Sequence, residues 1–107
     1  MIRRMAGLQE RGKSMTINEY QQAALRTLNP ELSEKDVLIN GVMGLCGESG
    51  EAIDIVKKHL AQGHPLDREK LAKELGDIAW YLAETAHAIG YPLEDILKMN
   101  IEKLRRK

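Results

Sequence analysis

Glu48 and Glu51 stand three residues apart in GESGEAIDIVKK (47–58), and Glu74 and Asp77 stand three apart in KELGDIAW (73–80). On a helix, three residues are nearly one turn, so each pair projects from one face. Four carboxylates brought together repel unless a cation neutralises them. An all-oxygen, hard donor set suits Mg²⁺, with Mn²⁺ as the alternative. A di-iron bundle would want Glu-x-x-His pairs, and neither pair here contains a histidine.

Ordinary surface ion pairs are the competing explanation. Lys70 precedes Glu74 by four residues, Lys73 precedes Asp77 by four, and Asp54 precedes Lys58 by four, all of them helix-pairing distances. The helical angles weigh the other way. Glu48 and Glu74 fall roughly 70 to 80° from the centre of their helices' apolar stripes, on the flank of the core. Gly47 and Gly50 surround Glu48, and Gly76 lies between Glu74 and Asp77. Glycine inside a helix costs roughly 1 kcal/mol relative to alanine. Close helix packing explains part of that cost, and room for metal, water and substrate explains the rest.

Four helices must position these residues. Thr16 and Glu19 form a capping box for the first, expected to run to about Leu28 before Asn29-Pro30. Ser33 caps the second, which runs to about Gln62 and closes on Gly63, with an interruption possible near Gly41, Gly44, Gly47 and Gly50. Asp67 caps the third, which ends at Gly90. The fourth opens with Pro92 as its first residue and continues to Lys107. A reversal at AQGHPLD makes the two long helices antiparallel, so that the two acidic pairs can face each other. Their expected core stripes are Leu38, Val42, Leu45, Ala52, Val56 and Leu60 on one, and Leu71, Leu75, Ile78, Leu82 and Ile89 on the other. No strand pattern stands out. The fold class is all-α, a four-helix bundle of antiparallel helices.

Composition bounds the function. The chain has 107 residues, enough for one small domain, with 16 basic and 16 acidic side chains. A neutral balance argues against nonspecific nucleic-acid binding. No apolar run reaches the roughly 20 residues a membrane span needs. The single cysteine, Cys46, excludes an internal disulfide and fits a reducing cytoplasm; its apolar context predicts plain buried packing. Residues 1–14 read as a flexible tail, and 15–107 as the domain.

The stretch from GESGEAIDIVKK through ELGDIAWYL to the C-terminal NIEKLRRK resembles the MazG-like all-α nucleoside triphosphate pyrophosphohydrolase superfamily, over about residues 16–107. The family hallmark is E-E-x-x-E, a spacer, then E-x-x-D. The resemblance implies Mg²⁺-dependent cleavage of a nucleoside triphosphate between the α and β phosphates, giving a monophosphate and pyrophosphate. It implies metal ligation by Glu48, Glu51, Glu74 and Asp77, with Glu51 as the carboxylate that also orients the attacking water. It implies substrate contacts from Lys70, Asn100, Lys103 and Lys107. Trp80 fits stacking on a base, and equally packing between subunits. His59, on the flank of Glu48, fits an accessory role. The family also implies a homodimer or homotetramer with sites near subunit interfaces.

Two features depart from the family pattern. Gly47 stands where the family has the first of two glutamates, and the usual aromatic-rich continuation after the fourth helix is absent. A phosphoribosyl-ATP pyrophosphohydrolase and a non-catalytic helical dimer that binds nucleotide or a protein partner are the rival readings.

Overall fold

The structure, a computed structural model, describes residues 14–106. The expected tail lies outside these residues but for Ser14, as does Lys107. Four helices follow in order: α1 (Ile17–Leu25), α2 (Glu34–Gln62), α3 (Arg68–Ala88) and α4 (Leu93–Arg105), with no strand among the described residues. The long helices α2 and α3 form the main pair, α1 packs on α3 and α4, and α4 packs on α3. Among the described residues α2 packs on α3 alone.

The cap signals act as their chemistry requires. The Glu19 amide donates to Thr16 Oγ1 at 3.1 Å, and the Thr16 amide donates to Glu19 Oε1 at 2.8 Å. Ser33 Oγ accepts from the Asp36 amide, and Asp67 Oδ1 from the Lys70 amide. α1 stops three residues short of the expected Leu28 because the carbonyl of Ala24 is taken. It accepts from the Thr27 hydroxyl at 2.7 Å and from Trp80 Nε1 at 3.1 Å, leaving the Leu28 amide to bond Leu25. α2 runs unbroken through its four glycines for 29 residues and closes on Gly63 in the left-handed region, φ 70°. Pro92 is the N-cap of α4 and not its first residue.

Proline has no capping side chain, and α1 supplies the missing partner. Gln21 Oε1 accepts from the Leu93 amide at 2.8 Å, while its Nε2 donates to the carbonyl of Ala83 at 3.1 Å. One buried side chain thus ties α1, α3 and α4 together. Gln21→Ala would orphan the buried Leu93 amide and remove the second donor to the Ala83 carbonyl, which keeps its bond within the helix, at a cost of roughly 1 to 3 kcal/mol. Urea denaturation measures it; a loss below about 0.5 kcal/mol would mean that water replaces the amide without penalty.

The core differs from the expected stripes. Its buried cluster is Ala24, Ala83, Ala86 and Leu93, with Tyr20, Trp80 and Ile96 packed against it. Val37 and Ile55 are the buried aliphatics of α2. Leu38, Val42 and Leu60 on α2, Leu75 and Leu82 on α3, and Ile89 at the C-cap of α3 are exposed, Leu60 to 74 %. The reason lies in the seam between the two helices. A Cβ at Gly41 would overlap Thr85 Oγ1, and one at Gly44 would overlap the Tyr81 ring. Small residues bring the backbones together there, and the larger aliphatics are left flanking the contact. Cys46 is exposed, contrary to the buried packing expected of it.

Candidate metal centre

The seam sets the register of α2 against α3, and the register brings the acidic pairs face to face. Glu48, Glu74 and Asp77 each offer a carboxylate oxygen, all within 4.8 Å of one another. Glu48 and Glu74 are half-buried and Asp77 is exposed. Glu51 is exposed and stands outside this group of three. Its charge still reaches Glu48.

The electrostatics show the strain of that approach. The Glu48 carboxyl is pushed up from 4.5 to about 7, first by a hydrogen bond to Glu74, then by desolvation and by the charges of Glu51, Glu74 and Asp77. Glu74 Oε2 is buried and has no hydrogen-bond partner among the described residues. Nor do the neighbouring lysines neutralise the cluster. The ion pairs among the described residues are Glu94–Lys98 and Glu102–Arg105, both on α4. A convergent set of hard oxygens, one of them orphaned, fits a divalent cation.

A pH dependence follows. The folded chain holds the Glu48 proton more tightly than the unfolded chain does. Between about pH 4.5 and about 7 the folded state therefore binds more protons, and stability falls as pH rises through that window. Thermal melts in chelator should show a lower Tm at pH 8 than at pH 5.5. Glu48→Gln should flatten that slope, and a slope unchanged in the variant would assign it to other groups.

α1 brings one residue within reach of the Asp77 charge that the sequence did not single out. The Tyr20 phenol is raised by burial and then by the charge of Asp77. Its only advance signal was its place on a well-capped amphipathic helix. The other expected site residues are dispersed. Trp80 donates its ring N–H to Thr27 Oγ1 at 2.9 Å as well as to Ala24, and meets Tyr81 edge-on at 5.0 Å. That N–H is spent on holding α1. Lys70 lies in the first turn of α3, one turn before Glu74, and is exposed. Asn100 and Lys103 line a groove on α4 with Ile96, Met99 and Arg106, and none of the four carboxylates lines it. His59 Nδ1 bonds the carbonyl of His64 at 2.7 Å across the α2–α3 turn.

The sequence pattern of the MazG nucleotide pyrophosphohydrolase domain matches residues 39–107. The chain belongs to this family. The match covers both acidic pairs and the whole of α3 and α4. The chain is also similar to Gene 37 protein of Mycobacterium phage L5, 34 % identical over 102 residues, which cover 87 % of this chain and 89 % of that protein. No solved structure matches. As in the family resemblance, the MazG domain here is all-helical, and no described helix is long and apolar enough to cross a membrane.

Proposed function

We propose that this MazG-domain protein is a Mg²⁺-dependent nucleoside triphosphate pyrophosphohydrolase, cleaving an NTP or dNTP between the α and β phosphates. The observation that carries the reading is the convergence of Glu48, Glu74 and Asp77, with an orphaned oxygen on Glu74 and, among the described residues, no ion pair to any of the three. These three carboxylates, joined by Glu51, would hold the metal. Bound there, Mg²⁺ or Mn²⁺ supplies neutralisation of phosphate charge and an acidified water for in-line attack. Glu51, exposed beside the group of three, would orient the attacking water and accept its proton. Lys70, one turn from Glu74 and in no ion pair among the described residues, would face the phosphates as a point charge.

The reading includes a homodimer or homotetramer in the cytoplasm. α2 is a 29-residue helix packed on one side, and Leu38, Ile39, Val42, Met43, Ile53 and Leu60 stand exposed along it. An apolar surface of this extent suits burial between copies of the chain. A site at such a boundary would let Asn100 and Lys103 of one chain serve the carboxylates of another.

Pyrophosphate release from a panel of ribo- and deoxyribonucleoside triphosphates, with and without Mg²⁺, tests the reaction. Metal-dependent formation of monophosphate and pyrophosphate is the expected result. Metal binding without release from any nucleotide would leave a binding module.

A further inference from the structure

Glu84 is the largest side chain of the chain's described residues to be wholly buried, and it is a carboxylate. A buried charge is retained only where it is hydrogen-bonded. Its partner is Asn40, whose Nδ2 donates to both oxygens, at 3.1 and 2.9 Å. A carboxylate only accepts, so it fixes which way the amide points. The Nδ2 faces Glu84, and Oδ1 is turned away. Asn40 is exposed, and among the described residues its Oδ1 accepts no hydrogen bond.

The pair continues the line of the metal centre. Asn40 and Glu51 are eleven residues apart, three turns, and point within about 20° of each other. Glu84 and Asp77 are seven apart, two turns, again within about 20°. Along α2, Asn40 lies about 12 Å from Glu48. Between them is Gly47, where an added Cβ would meet nothing within 4 Å. The seam has two unlike ends. Toward the α2–α3 turn lie Lys57, Lys58, Arg68, Lys70 and Lys73, interspersed with Asp54, Asp67 and Glu69, a charged stretch with a basic surplus; toward Asn40, residues 37–47 and 78–83 carry no charge. On the pyrophosphohydrolase reading, the end with the basic surplus would suit a triphosphate tail and the uncharged end a nucleoside.

We propose that Asn40, oriented by buried Glu84, is a specificity-determining residue whose Oδ1 accepts a hydrogen bond from an N–H or O–H donor of the substrate's nucleoside. The inference rests on the pyrophosphohydrolase reading. It makes Glu84 a positioning residue that acts only through Asn40.

The test measures kcat/KM across ribo- and deoxyribonucleoside triphosphates for the wild type, Asn40→Ala and Glu84→Gln. Asn40→Ala removes the acceptor and should compress the ratio between preferred and poor nucleotides by about tenfold, the value of one hydrogen bond near 1.4 kcal/mol. Asn40→Ala also strands the buried carboxylate and can unfold the chain, so Glu84→Gln decides. Glutamine keeps the buried contact and lets the Asn40 amide turn over, presenting a donor. The nucleotide ranking should then change, while metal affinity measured by calorimetry stays at the wild-type value. A change that follows the base identifies a base N–H; one that follows the sugar identifies the 2′-hydroxyl. Folded Glu84→Gln with the wild-type ranking overturns the proposal. A wild type that binds metal and hydrolyses no nucleotide overturns the pyrophosphohydrolase reading, and this proposal with it.

Discussion

Glu74→Ala should lower kcat/KM by roughly 10²- to 10⁴-fold, because a bound cation supplies several kcal/mol of transition-state stabilisation and each 1.4 kcal/mol is a factor of ten. The same change should raise the stability of the metal-free protein. Glu74 carries the orphaned buried oxygen and accepts the hydrogen bond that holds the proton on Glu48. Removing an unsatisfied buried polar atom is worth roughly 1 to 3 kcal/mol, less whatever cavity remains. Loss of turnover together with a higher Tm in chelator is thus the expected pair of results. Thermal melts and steady-state kinetics on one preparation check both. Retained turnover would take Glu74 out of the metal set. A lower metal-free Tm would mean that Glu74 has a structural partner in the folded chain.

Gly44→Val and Gly41→Val should each cost about 3 kcal/mol or more, at the upper end of what overpacking costs. A side chain at position 44 enters the Tyr81 ring, and one at 41 also meets the Thr85 backbone, 3.3 Å from its Cα. Backbone on a packed helix cannot step aside as a flexible side chain can. For a domain with a few kcal/mol of net stability, that is a large share. Gly50→Ala is the control. An added Cβ there meets nothing within 4 Å, so the gain in helix propensity, up to about 1 kcal/mol, should appear undiminished. Chemical denaturation of the three variants separates seam from surface. Equal effects at all three positions would remove the seam as the determinant of helix approach.

What the sequence disclosed was local. The capping box at Thr16, the caps at Ser33 and Asp67, and the left-handed glycines at 63 and 90 are decided within a few residues, and each helix begins near its signal. The facing of the acidic pairs followed from two helical periods and one reversal. What escaped was decided across the fold. The end of α1 depends on Trp80, 56 residues away, and the cap of α4 depends on Gln21, 72 residues from Leu93. Neither residue type signals its partner. The apolar stripes misled for a related reason. Periodicity marks a face to be buried and does not say whether the same chain or another copy buries it. Glu84 was passed over because a lone glutamate in a helix reads as solvated unless its neighbour on the facing helix is known.

The four carboxylates all belong to one helical hairpin, closed by the five residues 63–67 between α2 and α3. Short closures cost little chain entropy, and contacts near in sequence form early. On that ordering the acidic repulsion would be met as the hairpin zips, before α1 and α4 dock. A proton on Glu48, or a cation, acts at that step. The residues that would hold the metal should therefore also set how fast the chain folds, and stopped-flow refolding should be faster at pH 5.5 than at pH 8 in chelator.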